Sequence, residues 1–150
     1  MARVRKAQIR KFNILDQDNV KKLILNGLTE RWGFLDETKN PDLDNIKVNY
    51  ANGVFLVALM NSKIVGCGAL VPINKKCAEI RRMSVAENFR NQGIGKQILN
   101  SLISKAQKLG YVKITLETTA DWSDAVSFYL HNGFQIAYYQ EHDVYLSREI

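Results

Sequence analysis

The stretch FRNQGIGKQIL, Phe89 to Leu99, puts an arginine, two glycines and a lysine where an apolar run gives way to a helical pattern. Glycine is the poorest helix former after proline, so Gly93 and Gly95 at a helix start point to a backbone that something must approach closely. The N–H groups of a first helical turn lack intrahelical partners, and the helix dipole adds partial positive charge there. Glycines would remove the Cβ atoms that hold a pyrophosphate away from those N–H groups. Arg90 and Lys96 would add cationic donors for phosphate oxygens. The stretch is not a Walker loop, since Lys96 is followed by Gln97 and the first glycine is missing, and it is not G-x-G-x-x-G.

The elements on either side set the fold class. AEIRRMSV (Ala78–Val85) reads as the strand before the loop; its alternation puts Glu79, Arg81 and Met83 on one face and Ile80, Arg82 and Ser84 on the other. After the loop, Ile94, Ile98, Leu102, Ala106 and Leu109 form the apolar stripe of a helix that Gly110 ends. YVKITLET (Tyr111–Thr118) is the next strand, and Asp121 is positioned to cap a helix running to His131, with Gly133 after it. FQIAYYQ and HDVYLS supply two last strands. Upstream, GVFLVALM and IVGCGALV form a hairpin around Asn61-Ser62-Lys63, closed by Pro72. QIRKFNI (Gln8–Ile14) is a first strand, Asp16 caps a helix carrying Val20, Leu23, Ile24 and Leu28, and a short second helix fits between Pro41 and Tyr50. The order β-α-(α)-β-β-β-α-β-α-β-β is that of a mixed α/β domain.

From the strand at Ala78 through the glycine loop to AVSFYLHNGF (Ala125–Phe134), the chain resembles the GNAT superfamily of N-acetyltransferases. The superfamily's pyrophosphate loop, Arg/Gln-x-x-Gly-x-Gly/Ala, is matched by Arg90, Gly93 and Gly95. Its later signature, Ala-x-x-Phe-Tyr-x-x-x-Gly-Phe, is matched by Ala125, Phe128, Tyr129, Gly133 and Phe134. The resemblance implies a central twisted mixed sheet flanked by helices on both faces, with residues 1–150 as a single domain. It also implies acetyl-CoA as cosubstrate and a primary amine of a small molecule or peptide as acceptor, joined by direct attack in a ternary complex. Many members carry Asn three positions before the signature alanine, where it helps hold the cofactor; Trp122 stands there in this chain.

Roles follow from that resemblance. The backbone of Gln92, Gly93, Ile94, Gly95 and Lys96, with Arg90, would hold the pyrophosphate. Met83, Ser84 and Val85 would lie along the pantetheine arm like an added strand, and a bulge there would aim the Met83 N–H at the thioester carbonyl as an oxyanion donor. Tyr129 matches the general acid for the departing thiolate. An amine with a pKa of roughly 10.4 is an ammonium at neutral pH and must lose a proton before it attacks. Glu79, eleven residues before Arg90, has the offset of the base in the histone acetyltransferase branch; Glu117 and solvent stay open as alternatives.

Composition and charge bound the rest. The 150 residues are 46% hydrophobic and carry a net charge of +6, distributed unevenly: Thr29–Asn49 holds five acids against three bases, leaving +8 on the remainder. That basic remainder suits an anionic ligand. The acidic segment walls the acceptor site in the implied fold, so Trp32, Asp36 and Glu37 are candidate contacts for a cationic acceptor such as a polyamine-like, amino-sugar or lysine-like group. Only Cys67 and Cys77 are present, spaced unlike metal ligands, and read as reduced thiols of a cytoplasmic protein; no metal is expected. No apolar window is long enough for a membrane span, and the basic N-terminus lacks the apolar core of a secretory signal. Two other readings are a coenzyme A sensor without turnover and a nucleic-acid binder prompted by Arg3, Arg5, Lys6, Arg10 and Lys11; no helix-turn-helix or aromatic RNA-binding motif supports the latter. A homodimer is the assembly the resemblance implies.

Overall fold

A computed structural model describes residues 5–35 and 39–150. Seven strands form one sheet in the order β1-β2-β3-β4-β5-β7-β6. In the chain these are β1 (Gln8–Lys11), β2 (Val54–Met60), β3 (Lys63–Pro72), β4 (Cys77–Val85), β5 (Lys113–Thr119), β6 (Gln135–Gln140) and β7 (Asp143–Glu149). The helices are α1 (Gln17–Trp32), α2 (Ile46–Asn49), α3 (Ile94–Lys108) and α4 (Ser123–His131). Every pairing is antiparallel except β4–β5, the two strands joined through α3. The expected mixed α/β architecture and element order are those observed.

Two apolar clusters cover the two faces of the sheet. Alternate residues of β2 and β3 (Phe55, Val57, Leu59; Cys67, Ala69, Val71) pack with Val20 and Ile24 of α1 and with Leu43, Ile46 and Tyr50. The opposite face, with Leu56, Ala58, Ile80, Ile114, Leu116 and Leu146, packs on the α3 stripe and on Tyr129 and Phe134. Full burial of each large aliphatic side chain contributes roughly 1.5–3 kcal/mol, so period-2 strands and a period-3.6 helix meeting along their apolar residues account for the layering.

Local details depart from the sequence reading. β1 ends at Lys11 because Asn13 caps a 3-10 turn at Ile14–Asp16, accepting from the Leu15 N–H at 2.9 Å. Asp16 does not cap α1; it accepts two hydrogen bonds from Arg10, at 2.7 and 3.0 Å, and one from the Asn13 N–H at 2.8 Å. The hairpin turn is the two residues Asn61 and Ser62, both at positive φ, and Lys63 already belongs to β3. Leu109 lies past the end of α3 and is 61% exposed. Trp122, not Asp121, occupies the N-cap of α4 and makes no side-chain cap bond.

One departure shapes the site. In β4, Ser84 pairs with Cys67 and Arg81 with Ala69, so Arg82 and Met83 together oppose the single residue Gly68. This is a β-bulge, and Arg82 holds it at φ 57°. A left-handed non-glycine residue inside a strand costs on the order of 1–3 kcal/mol. The extra residue reverses the alternation: Glu79 and Arg81 lie on the α1 face, while Met83 crosses to the α3 face and packs against that core.

Candidate active site

β4 and β5 pair over only three positions, ending at Glu79 with Thr115. Beyond that point the strands separate, and a cleft of about 680 Å³ opens between them, with Glu79 at its apex. Met83, Ser84, Val85 and Arg90 line one side; Glu117, Trp122 and Tyr129 line the other. The splay therefore gathers residues from 79 to 129 that the sequence reading had singled out separately.

The glycine loop stands at the end of this cleft. Gly93 takes φ 83° as the N-cap of α3, a conformation that asks for glycine. The first bond of the helix runs from the Gln97 N–H to the Gly93 carbonyl at 3.1 Å, so the N–H groups of 94–96 have no intrahelical acceptor. Gly95 has a different role from Gly93: a Cβ there would meet ring atoms of Phe128 at 3.5 Å, ordinary contact. Ile94 is core, offering only its backbone, and the Lys96 side chain is exposed outside the cleft lining. Gln92 is tied down by Arg5, whose N–H donates to its carbonyl at 3.0 Å and whose guanidinium donates to its side chain at 3.3 Å. Arg90 donates to the Val85 carbonyl at 2.9 Å and pairs with Glu30 of α1 at 2.8 Å. A loop with unused N–H groups, a glycine N-cap and an arginine fits a pyrophosphate.

Tyr129 is 7% exposed and wedged edge-on between Phe128 and Phe134. Its hydroxyl makes no hydrogen bond among the described residues, and burial pushes its phenol above the ordinary range. Among the described residues no buried side-chain oxygen lacks a partner, so the Tyr129 hydroxyl itself reaches the cleft while its ring is enclosed. Glu79 pairs with its own-strand neighbour Arg81. Glu117 stands opposite Tyr145 in the β5–β7 register and pushes that phenol up to about 12, and it is near Asp143, whose carboxyl is raised by burial and by the charges of Glu117 and Glu141. Both base candidates thus line the cleft, and Glu79 already has a partner in Arg81.

The acceptor wall is partly accounted for. Asp36 and Glu37 lie outside the described residues. The other acids of that segment are engaged within the chain: Glu30 with Arg90, Asp42 with Arg82 and Asp44 with Lys21. Trp32 lies outside the cleft lining and packs in a tilted pair against Trp122, ring centroids 5.3 Å apart. Arg31 lies 4.5 Å above the Trp122 ring and holds Asp124 through two bonds of 2.9 and 2.8 Å. Trp122 is thereby used to dock α1 onto α4 at the cleft mouth.

The sequence reading left Arg82 and Tyr50 without a role. Arg82 donates to Asp42 at 3.0 and 2.7 Å and to Asn40 at 3.0 Å, while the Tyr50 hydroxyl donates to Asp42 at 2.5 Å. Burial alone would raise the Asp42 carboxyl, but the bonds from Arg82 and Tyr50 and the charge of Arg82 outweigh it and hold it below the usual range. Burial and Asp42 push Tyr50 up to about 12. An arginine in a strand gives no sequence signal for a positive φ, so the pin was not visible beforehand.

Comparison with known proteins bears on the class. The sequence model of the Acetyltransferase (GNAT) family matches residues 21–134. The chain belongs to the GNAT family. N-acetyltransferase 8F1 of Rattus norvegicus is 33% identical over 101 residues, 63% of this chain and 46% of that protein. This GNAT chain spans about half the length of the relatives it matches by sequence. A GNAT-family acetyltransferase from Staphylococcus aureus Mu50 superposes with a TM-score of 0.87 at 26% identity, over 96% of this chain and 99% of that one. PaiA N-acetyltransferase from Thermoplasma acidophilum, solved with coenzyme A, shares the fold with a TM-score of 0.86 at 21% identity, over 97% and 100% of the two chains. No helix among the described residues is long and apolar enough to cross a membrane.

Proposed function

We propose that residues 1–150 act as one acetyl-CoA-dependent N-acetyltransferase domain, passing an acetyl group to a primary amine of a small molecule or peptide within a ternary complex. The observation that carries this reading is the cleft that joins the bulged β4, Arg90 beside the helix N-terminus and the unpartnered Tyr129 hydroxyl. Family membership and the coenzyme A bound by the Thermoplasma protein support it.

Acetyl-CoA supplies the activated thioester. N–H groups from Gln92 to Lys96 hold its pyrophosphate, and Arg90 turns from Glu30 toward phosphate oxygens. Met83, Ser84 and Val85 flank the pantetheine arm, and the Met83 N–H meets the negative charge developing on the carbonyl oxygen. The base, Glu79 or Glu117 or a water between them, takes one proton from the ammonium. The freed lone pair forms the C–N bond, the C–S bond breaks with its electrons going to sulfur, and Tyr129 protonates that sulfur. The second proton leaving nitrogen restores Tyr129. Phenol and thiol pKa values near 10 and 8.5 make the step to sulfur uphill by about 2 kcal/mol in water. Burial disfavours both anions, so the dry cleft does not widen that gap by itself.

The deciding experiment is the thermal midpoint with and without acetyl-CoA. At about 100 times Kd the linkage contribution is about 2.7 kcal/mol, which raises Tm by roughly 5–10 °C for a chain of this size. A rise of that order, lost in Arg90→Ala, together with acetylation in an amine screen, supports the reading. A rise with no turnover on any amine leaves a coenzyme A sensor, and no rise at millimolar ligand overturns both.

A further inference from the structure

The bulge in β4 is held from outside the strand. Its strained residue, Arg82, places its guanidinium on Asp42 and Asn40, in the connection between α1 and α2, through three bonds of 2.7–3.0 Å. Tyr50, after α2, fixes the same Asp42 carboxylate. The Arg82 carbonyl accepts from the buried Cys67 thiol at 3.2 Å, so backbone and side chain of this residue are both pinned. A bidentate arginine–carboxylate pair fixes orientation as well as charge, and strain of this kind persists only where surrounding contacts over-determine it.

We propose that Arg82 is a positioning residue: pinned by Asp42, Asn40 and Tyr50, it sets the bulge so that the neighbouring Met83 N–H faces the thioester carbonyl. This rests on the acetyltransferase reading above. Arg82 takes no part in bond making; it acts through the backbone of Met83. Asp42, in turn, is held by Arg82 and Tyr50 and is not available as a base.

Three variants separate the pin from the strain. Arg82→Gly keeps the left-handed backbone without its cost and removes the pin; Asp42→Asn weakens the pin from the other side; Arg82→Lys keeps the charge without the fork. All three are expected to lose at least tenfold in kcat, with acetyl-CoA Kd within about twofold of the parent, because removing an oxyanion donor costs roughly 10²–10³ and misaiming one costs less. The double variant Arg82→Gly/Asp42→Asn should lose no more than the worse single one, since both act through one contact. Arg82→Gly with parental kcat, or with kcat falling only in step with Kd and Tm, overturns the proposal. A second readout needs no turnover: the Met83 amide, followed by NMR in the ligand-free protein, should shift or broaden in Asp42→Asn, a substitution forty-one residues away in sequence. An unmoved Met83 amide overturns the pin even in an active enzyme. A moved one upholds the pin even if the amine screen shows no acetylation and the assigned activity falls.

Discussion

Tyr129 shows what a single residue's surroundings decide. Its motif position suggested an acid; in the structure its ring sits between Phe128 and Phe134 and its hydroxyl has no hydrogen-bond partner, which suits the acid role proposed above. Burial raises its pKa above the ordinary value near 10, so the proton-bearing form persists throughout the neutral and mildly alkaline range. Tyr129→Phe is expected to keep acetyl-CoA affinity and cut turnover at least tenfold, the scale of a lost general acid. In the parent, kcat should show no fall assignable to this group as pH rises to about 10; a fall near pH 8 would assign the acid elsewhere. The tyrosine was legible in sequence because a motif surrounds it. Arg82 was not, because only backbone geometry distinguishes it from any other strand arginine.

At the level of elements, the glycines of β3 explain how close α3 comes to the sheet. A Cβ on Gly68 would stand 2.5 Å from the Met83 sulfur and 2.9 Å from Ile98, and one on Gly66 would stand 2.8 Å from Ile98. Gly68 is thus the residue over which the bulge closes. Gly68→Ala is expected to destabilise by about 1–3 kcal/mol through overpacking, a fall of roughly 2–12 °C in Tm for this size. Gly95→Ala, whose Cβ meets only ordinary contacts, should hold or raise Tm, since alanine favours a helix. Equal midpoints for Gly68→Ala and the parent would mean that α3 can retreat from the sheet. Strands and helices were legible from their periods, and the boundaries that slipped have local causes: the Asn13 cap shortens β1, and the turn at Gly110, φ 91°, leaves Leu109 outside.

Across the whole molecule, the last turn of α1 reaches both lips of the cleft. Glu30 holds Arg90 beside the glycine loop, while Arg31 and Trp32 hold Asp124 and Trp122 at the start of α4. In the proposed complex with acetyl-CoA, Glu30 therefore competes with phosphate for Arg90. Because that pair is substantially exposed, its worth is at most about 1 kcal/mol; Glu30→Gln should tighten acetyl-CoA about two- to fivefold, measured by calorimetry at low salt. Unchanged or weaker binding would show that Arg90 keeps its Glu30 contact when ligand is bound. Apolar periodicity and the two glycine-bearing motifs, being local patterns, determined by themselves the α/β order, the helix start at Gly93 and the family. The splay of β4 from β5 beyond Glu79, the Arg82 pin and the α1 bridge were decided only by tertiary structure, because each joins residues tens of positions apart whose individual types carry no record of the partner they meet.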